Sequence, residues 1–129
     1  MADLTNFGES LVAKFLLTTQ TATRPTEWFV QLHTADPGED GTTSPVSGSG
    51  FARQEFIPDA ESGGEVVNDG VITFPVASGG SWGNVTHVSL WDAVTSGNCL
   101  MKGDLTASKQ IDEGDQLVFD SGELKFAFA

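Results

Sequence analysis

The chain has 129 residues, of which 18 are acidic and six basic, giving a formal net charge of -12. One domain of this size removes roughly two-thirds of its unfolded surface from water, enough for a single hydrophobic core. The charge excludes a nucleic-acid binder, which needs a basic stripe to displace counterions, and disfavours an anionic membrane for the same reason.

The six cations, Lys14, Arg24, Arg53, Lys102, Lys109 and Lys125, never cluster. The acidity therefore serves either solubility or docking on a surface with basic patches. Asp3 stands where a secretory signal would be cationic, so no signal peptide is expected. No stretch approaches the ~18 apolar residues of a membrane span.

Phe7, Leu11, Val12 and Phe15 follow the spacing of one helical face. Asn6 is the expected cap, with Glu9 in the capping-box position. The run Thr18-Thr19-Gln20-Thr21-Ala22-Thr23 ends the helix, and Pro25 biases Arg24 to an extended shape. Residues 1–26 thus read as an N-terminal helix and extended arm. The helix either covers an open face of a sheet or packs on a neighbouring subunit.

From residue 27 to residue 129 the pattern is β. Trp28, Val30 and Leu32 alternate with Gln31 and His33. His33 reads as an exposed strand end. A second strand is expected from Phe51 to Ile57, and a third over Val71-Ile72-Thr73-Phe74 after the turn Asn68-Asp69-Gly70. Val85 to Trp91 follows, with Val88 and Leu90 inward and His87 on the opposite face. Cys99 to Lys102 and Leu105 to Ile111 are weaker candidates. Leu117-Val118-Phe119 and Leu124 to Phe128 close the chain as a hairpin around Asp120-Ser121-Gly122, with Leu124, Phe126 and Phe128 inward and Lys125 outward. About eight short strands separated by turns predict an all-β fold, a β-sandwich of the jelly-roll or immunoglobulin-like kind. Long loops over Gly38–Gly50 and Ala77–Gly83 are candidate contact surfaces.

The residues assemble no catalytic, cofactor-binding or metal site. His33 and His87, the only histidines, have no partner at ligand spacing. There is no nucleophile elbow, P-loop or Cys-His constellation. Cys99, the single cysteine, reads as a small buried hydrophobe. Asp36 to Gly41 resembles the start of a calcium loop, but Gly38 and Ser47 stand where two ligands are needed. The expected state is a solvated acidic turn, the alternative an irregular calcium site from Asp36, Glu39 and Asp40. Trp82, flanked by glycines, is either a core residue or a contact residue able to stack on a sugar. The sequon at Asn84-Val85-Thr86 reads as a chance match within a strand.

Three runs carry a resemblance. They are Leu32-His33-Thr34-Ala35-Asp36-Pro37-Gly38 through Phe51-Ala52-Arg53-Gln54; Ile72-Thr73-Phe74-Pro75 followed by Trp82 to Ala93; and Gly114-Asp115-Gln116-Leu117-Val118-Phe119 with the closing strand. In order and spacing the chain resembles a family of small virion proteins of tailed bacteriophages, tail-fibre-like or capsid-decoration-like, over roughly residues 27 to 129. The resemblance implies an all-β virion protein, made in the host bacterial cytoplasm, with no catalytic residues to carry over. The expected function is a head decoration or cement protein that binds the major capsid protein as a homo-oligomer, a trimer at local three-fold positions. The absence of a shaft or repeat favours this over a tail, baseplate or fibre component. A third reading is a carbohydrate-binding module using Trp82.

Overall fold

A computed structural model describes residues 2–128. In chain order the elements are β1 (Ala2–Leu4), α1 (Asn6–Leu17), β2 (Phe29–His33), β3 (Gln54–Glu55), β4 (Glu65–Val67), β5 (Ile72–Thr73), β6 (Gly83–Trp91), β7 (Cys99–Ile111), β8 (Val118–Phe119) and β9 (Lys125–Ala127). The all-β expectation with a short N-terminal helix holds. The strands form a five-stranded antiparallel sheet, β1-β7-β6-β2-β3, and two two-stranded ribbons, β4-β9 and β5-β8. Among the described residues no ladder joins these three sheets into one closed barrel. Ala129, the last residue of the expected β domain, lies outside the described residues.

The β6-β7 pair is the spine. β6 is rich in β-branched and aromatic residues, which suit a pleated, half-buried surface. Its turn is held by Asp92, whose carboxylate accepts from the Asn98 backbone N–H at 2.7 Å and from its side-chain amide at 3.1 Å. The two weak strand candidates are one continuous strand, β7, because pairing with β6 carries the chain across Gly103 and Asp104. The ladder slips between the pairs Val85–Lys109 and His87–Asp104, so four residues of β7 oppose Thr86 alone.

One face of the sheet meets the ribbons. Val30, Leu32, Val88 and Leu90 pack there with Ile72, Phe119 and Phe126. Phe51 stacks on Phe74 at 5.9 Å between ring centroids and meets Trp82 edge-on at 5.2 Å, while Phe56 meets Phe126 at 5.4 Å. Such aromatic pairs add to the area they bury.

The expected C-terminal hairpin does not form. β8 pairs with β5 and β9 with β4, so the Asp120-Ser121-Gly122 turn joins two ribbons instead of closing one. Asn68, fully buried, explains this exchange. Its amide nitrogen donates to the carbonyls of Gly70 and Asp120, and its oxygen accepts from the Leu124 N–H. Local turn chemistry predicts a turn but not which strands it will pair. Leu124 and Phe126 are buried and Lys125 exposed, as expected, but Phe128 is exposed.

At the N-terminus two further expectations change. β1 adds an edge strand to β7, so this stretch is hydrogen-bonded to the sheet. The helix cap is Thr5, not Asn6: its hydroxyl accepts from the Gly8 N–H at 3.2 Å and donates to the Cys99 carbonyl. The cap thus ties the helix to β7 and leaves Glu9 one residue beyond the capping-box position. The helix ends at Thr18, whose hydroxyl donates back to the Lys14 carbonyl.

Candidate functional site

Three places in the fold bring functional groups together. The first lies on the sheet face opposite the aromatic core, where the residues after β2 fold back as a cover. This loop is why His33 is fully buried and not an exposed strand end. His33 Nδ1 lies 2.8 Å from the Thr43 carbonyl, an acceptor, so Nδ1 carries the proton. Nε2, 2.6 Å from Ser89 Oγ, then accepts from that hydroxyl, and the hydroxyl accepts from the Trp91 indole N–H at 2.7 Å. Burial pushes the His33 pKa below its ordinary value.

The neighbouring groups continue this layer. The Gln31 amide donates to the Leu32 and Val46 carbonyls, and Arg53 donates to Gln31 Oε1 at 3.2 Å. The Arg53 guanidinium lies over the Trp91 ring at 4.1 Å and binds the carbonyls of Ala93 and Ser96. Among the described residues every buried side-chain polar atom has a partner. Ser89 and His33 have the separation of a nucleophile and its base. Yet both are fully buried, and the hydroxyl is held between two ring nitrogens. The arrangement fastens the loop and offers a substrate no approach. A motif search misses it because the two residues lie 56 positions apart.

The second place is the acidic turn. Lys102 reaches Asp36 at 2.9 Å and Glu39 at 3.5 Å, so an ammonium occupies the space between two of the three carboxylates of the alternative calcium reading. The third, Asp40, turns away to accept from the Thr42 N–H and hydroxyl. The Gly38 N–H and then Lys102 hold the Asp36 carboxyl below its usual range. Among the described residues no three metal-ligating side chains converge. His87 lies on the rim of this depression, opposite His33 across the strand pair and bonded to the Thr86 hydroxyl.

The third place is α1. Gly8 is its only buried residue. At about 100° per residue, Phe7, Leu11, Phe15, Gly8, Val12 and Leu16 share one half of the circumference, the half that rests on β7 at its first turn. Leu11 still packs against the core, and beyond it the body falls away. Phe15 is 73% exposed, Leu16 68% and Leu17 83%. The overhang and the returning segment at Ala22, Arg24 and Pro25 enclose an apolar groove of about 410 Å³. The helical spacing predicted this face, and the structure leaves it largely uncovered.

Trp82 belongs to the core. It is 5% exposed, with its indole N–H donating to the Ser49 carbonyl at 3.0 Å, so its ring is not available to a sugar.

A family model described as podophage GP4 fiber I protein gp80 matches residues 3–127. The match bears out the resemblance to tailed-phage virion proteins and extends it over β1 and α1, which the recognised motifs did not reach. No curated protein matches the chain. With nearly its whole length covered, the chain belongs to the podophage GP4 fiber I protein gp80 family.

Proposed function

We propose that this virion structural protein is a component of the fibre or tail apparatus, and that it acts by protein contact through α1. The family description speaks for a fibre role over head decoration with the major capsid protein as partner. The observation that carries the contact reading is the overhanging apolar face of α1. A half-circumference of apolar side chains on a helix of 12 residues is stable only against a second surface, and the body supplies that surface only as far as Leu11, leaving Phe15, Leu16 and Leu17 exposed. The division at residues 26 and 27 follows the same logic, with the helical segment as the attachment element and the β body as the rigid mount. A sandwich reading of that body rests on the shared core, where side chains of all three ladders meet. A homotrimer, one of the closed cyclic symmetries open to repeated modules, would set three copies about one axis.

The test is to separate heads, tails and fibres from purified particles and to count copies by quantitative mass spectrometry. Recovery with the tail and fibre fraction at a few to tens of copies supports the proposal. Hundreds of copies on isolated heads would overturn it in favour of decoration. Replacing Phe15 and Leu16 with Ser should leave the fold intact and reduce incorporation.

A further inference from the structure

Residues 40–45 form a flap over the buried imidazole of His33, and the chain is moored on both sides of it. Before the flap, Lys102 holds Asp36 and Glu39, and the Glu39 carbonyl accepts from the Asn6 N–H at 2.9 Å. After it, the Val46 N–H donates to the Leu32 carbonyl at 2.9 Å, and the Val46 carbonyl accepts from Gln31. Between these moorings only Gly41 is buried, against Cys99 and Trp91. Hydrogen bonds do the rest: His33 Nδ1 donates to the Thr43 carbonyl, and the Ser44 carbonyl accepts from the Thr34 N–H at 3.1 Å. Ser44 is held at φ +50°, a left-handed conformation that costs energy for any residue but glycine. A segment that buries so little apolar area opens far more cheaply than the whole protein unfolds.

The closed flap has no place for a second proton on His33. Among the described residues no carboxylate bonds to the ring. Asp36 favours its charge only from a distance, while Arg53 and His87, the directly opposed residue on β6, disfavour it. β7 offers Lys102, already held by Asp36 and Glu39, and the Cys99 thiol. Asp40, the acid of the flap, is turned to Thr42. Opening would give an imidazolium the water it lacks beneath the cover.

We propose that residues 40–45 are an acid-released flap: protonation of His33 favours an open position, in which the flap lifts off Trp91 and Cys99 while the sheet and its aromatic core stay folded. The moorings outlast the change, because the Asp36 carboxyl is held below its ordinary range and keeps its charge beside Lys102. The closed form holds the His33 pKa below 6.5, so the open form binds the proton first and gains population as pH falls through that value.

The experiment follows labelling of Cys99 in the full chain by 4,4'-dithiodipyridine from pH 8 to pH 4, each rate divided by that of the denatured chain at the same pH. Protection should fall about tenfold per pH unit below about 6.5, the slope of one proton, and level off where the closed form also protonates. Low concentrations of urea should scarcely change the rate, because a flap exposes little surface. The slope should be lost in His33→Gln and kept in His87→Gln. In the wild type, the His33 ring followed by NMR should titrate at the pH where protection levels off, which tests the proposal even if His33→Gln does not fold. Protection that is flat with pH would overturn the proposal. So would a rate as steep in urea as global unfolding, a slope that survives in His33→Gln, or a ring titration unrelated to labelling.

Discussion

The backbone carbonyl of Leu100 fills the space where Gly8 would carry a side chain. A β-carbon at Gly8 would collide with that oxygen and crowd the Leu4 side chain. Gly costs about 1 kcal/mol relative to Ala within a helix, so propensity alone favours Ala at this position. Close approach reverses the sign. The same strand segment also takes the Thr5 N–H at the Leu100 carbonyl and the Thr5 hydroxyl at the Cys99 carbonyl. The helix therefore rests on β7 through its cap and one bare residue, and its apolar C-terminal half projects outward.

Gly8→Ala should destabilise the protein although it improves helix propensity. Displacing a backbone carbonyl costs about 1–3 kcal/mol, as overpacking does. Differential scanning calorimetry should show a fall in Tm, with loss of amide-exchange protection at Thr5. A raised Tm would mean that the helix does not rest on β7 as described.

Stability should depend on pH through His33. Its folded pKa lies below the ordinary value of 6.5, chiefly because of burial. The unfolded chain therefore binds the proton first. The stabilisation is fully present above about 6.5 and is lost as pH falls below it towards the folded value. Protonation of Nε2 would also turn an acceptor into a donor facing a hydroxyl that already accepts from Trp91. The slope of Tm against pH in this window should vanish in His33→Gln and persist in His87→Gln. Persistence of the slope in the His33 variant would assign it to another group.

Much of this arrangement was legible in the sequence, and the failures share a cause. The alternation in β2 and β6 placed Val30, Leu32, Val88 and Leu90 on one face, and the helical spacing grouped Leu11, Val12 and Phe15. Alternation cannot say whether the other face is covered, so Gln31 and His33 read as outward although residues after β2 return over them. Cross-chain partners are equally silent: nothing near Asp120 says that β8 will pair with β5. The exposed face of α1 was visible as a pattern, but its lack of cover depends on where β7 lies beneath it.

Cys99 should be inert in the native state. Burial pushes its thiol pKa up to about 11, and the thiolate is the reactive form. Gly41, at φ +77°, lies directly against the sulfur and the Trp91 ring, where a β-carbon would collide with the Cys99 side chain. A thiol reagent at pH 8 should leave the folded protein unlabelled and react fully in guanidinium. Gly41→Ala should lift the cover, lower Tm and bring Cys99 into reaction without denaturant. Rapid labelling of the native wild type would contradict the packing described here.

Asn68 offers the sharpest test of the exchanged ribbons. Its side chain satisfies two carbonyls and one N–H drawn from both turns, and it is 1% exposed. Asn68→Ala leaves those backbone groups without their partner, at about 1–3 kcal/mol for each one that stays buried and unsatisfied. Asn68→Asp keeps the shape and the acceptor for Leu124 but loses both donations and buries a charge against two carbonyl oxygens. At neutral pH Asn68→Asp should therefore be at least as damaging as Ala. It should recover in part as pH falls, because a protonated carboxyl can donate to one of the two carbonyls. Were the C-terminal strands a simple hairpin, Asn68 would touch neither Asp120 nor Leu124, and both substitutions would behave as surface changes within about 0.5 kcal/mol of the parent.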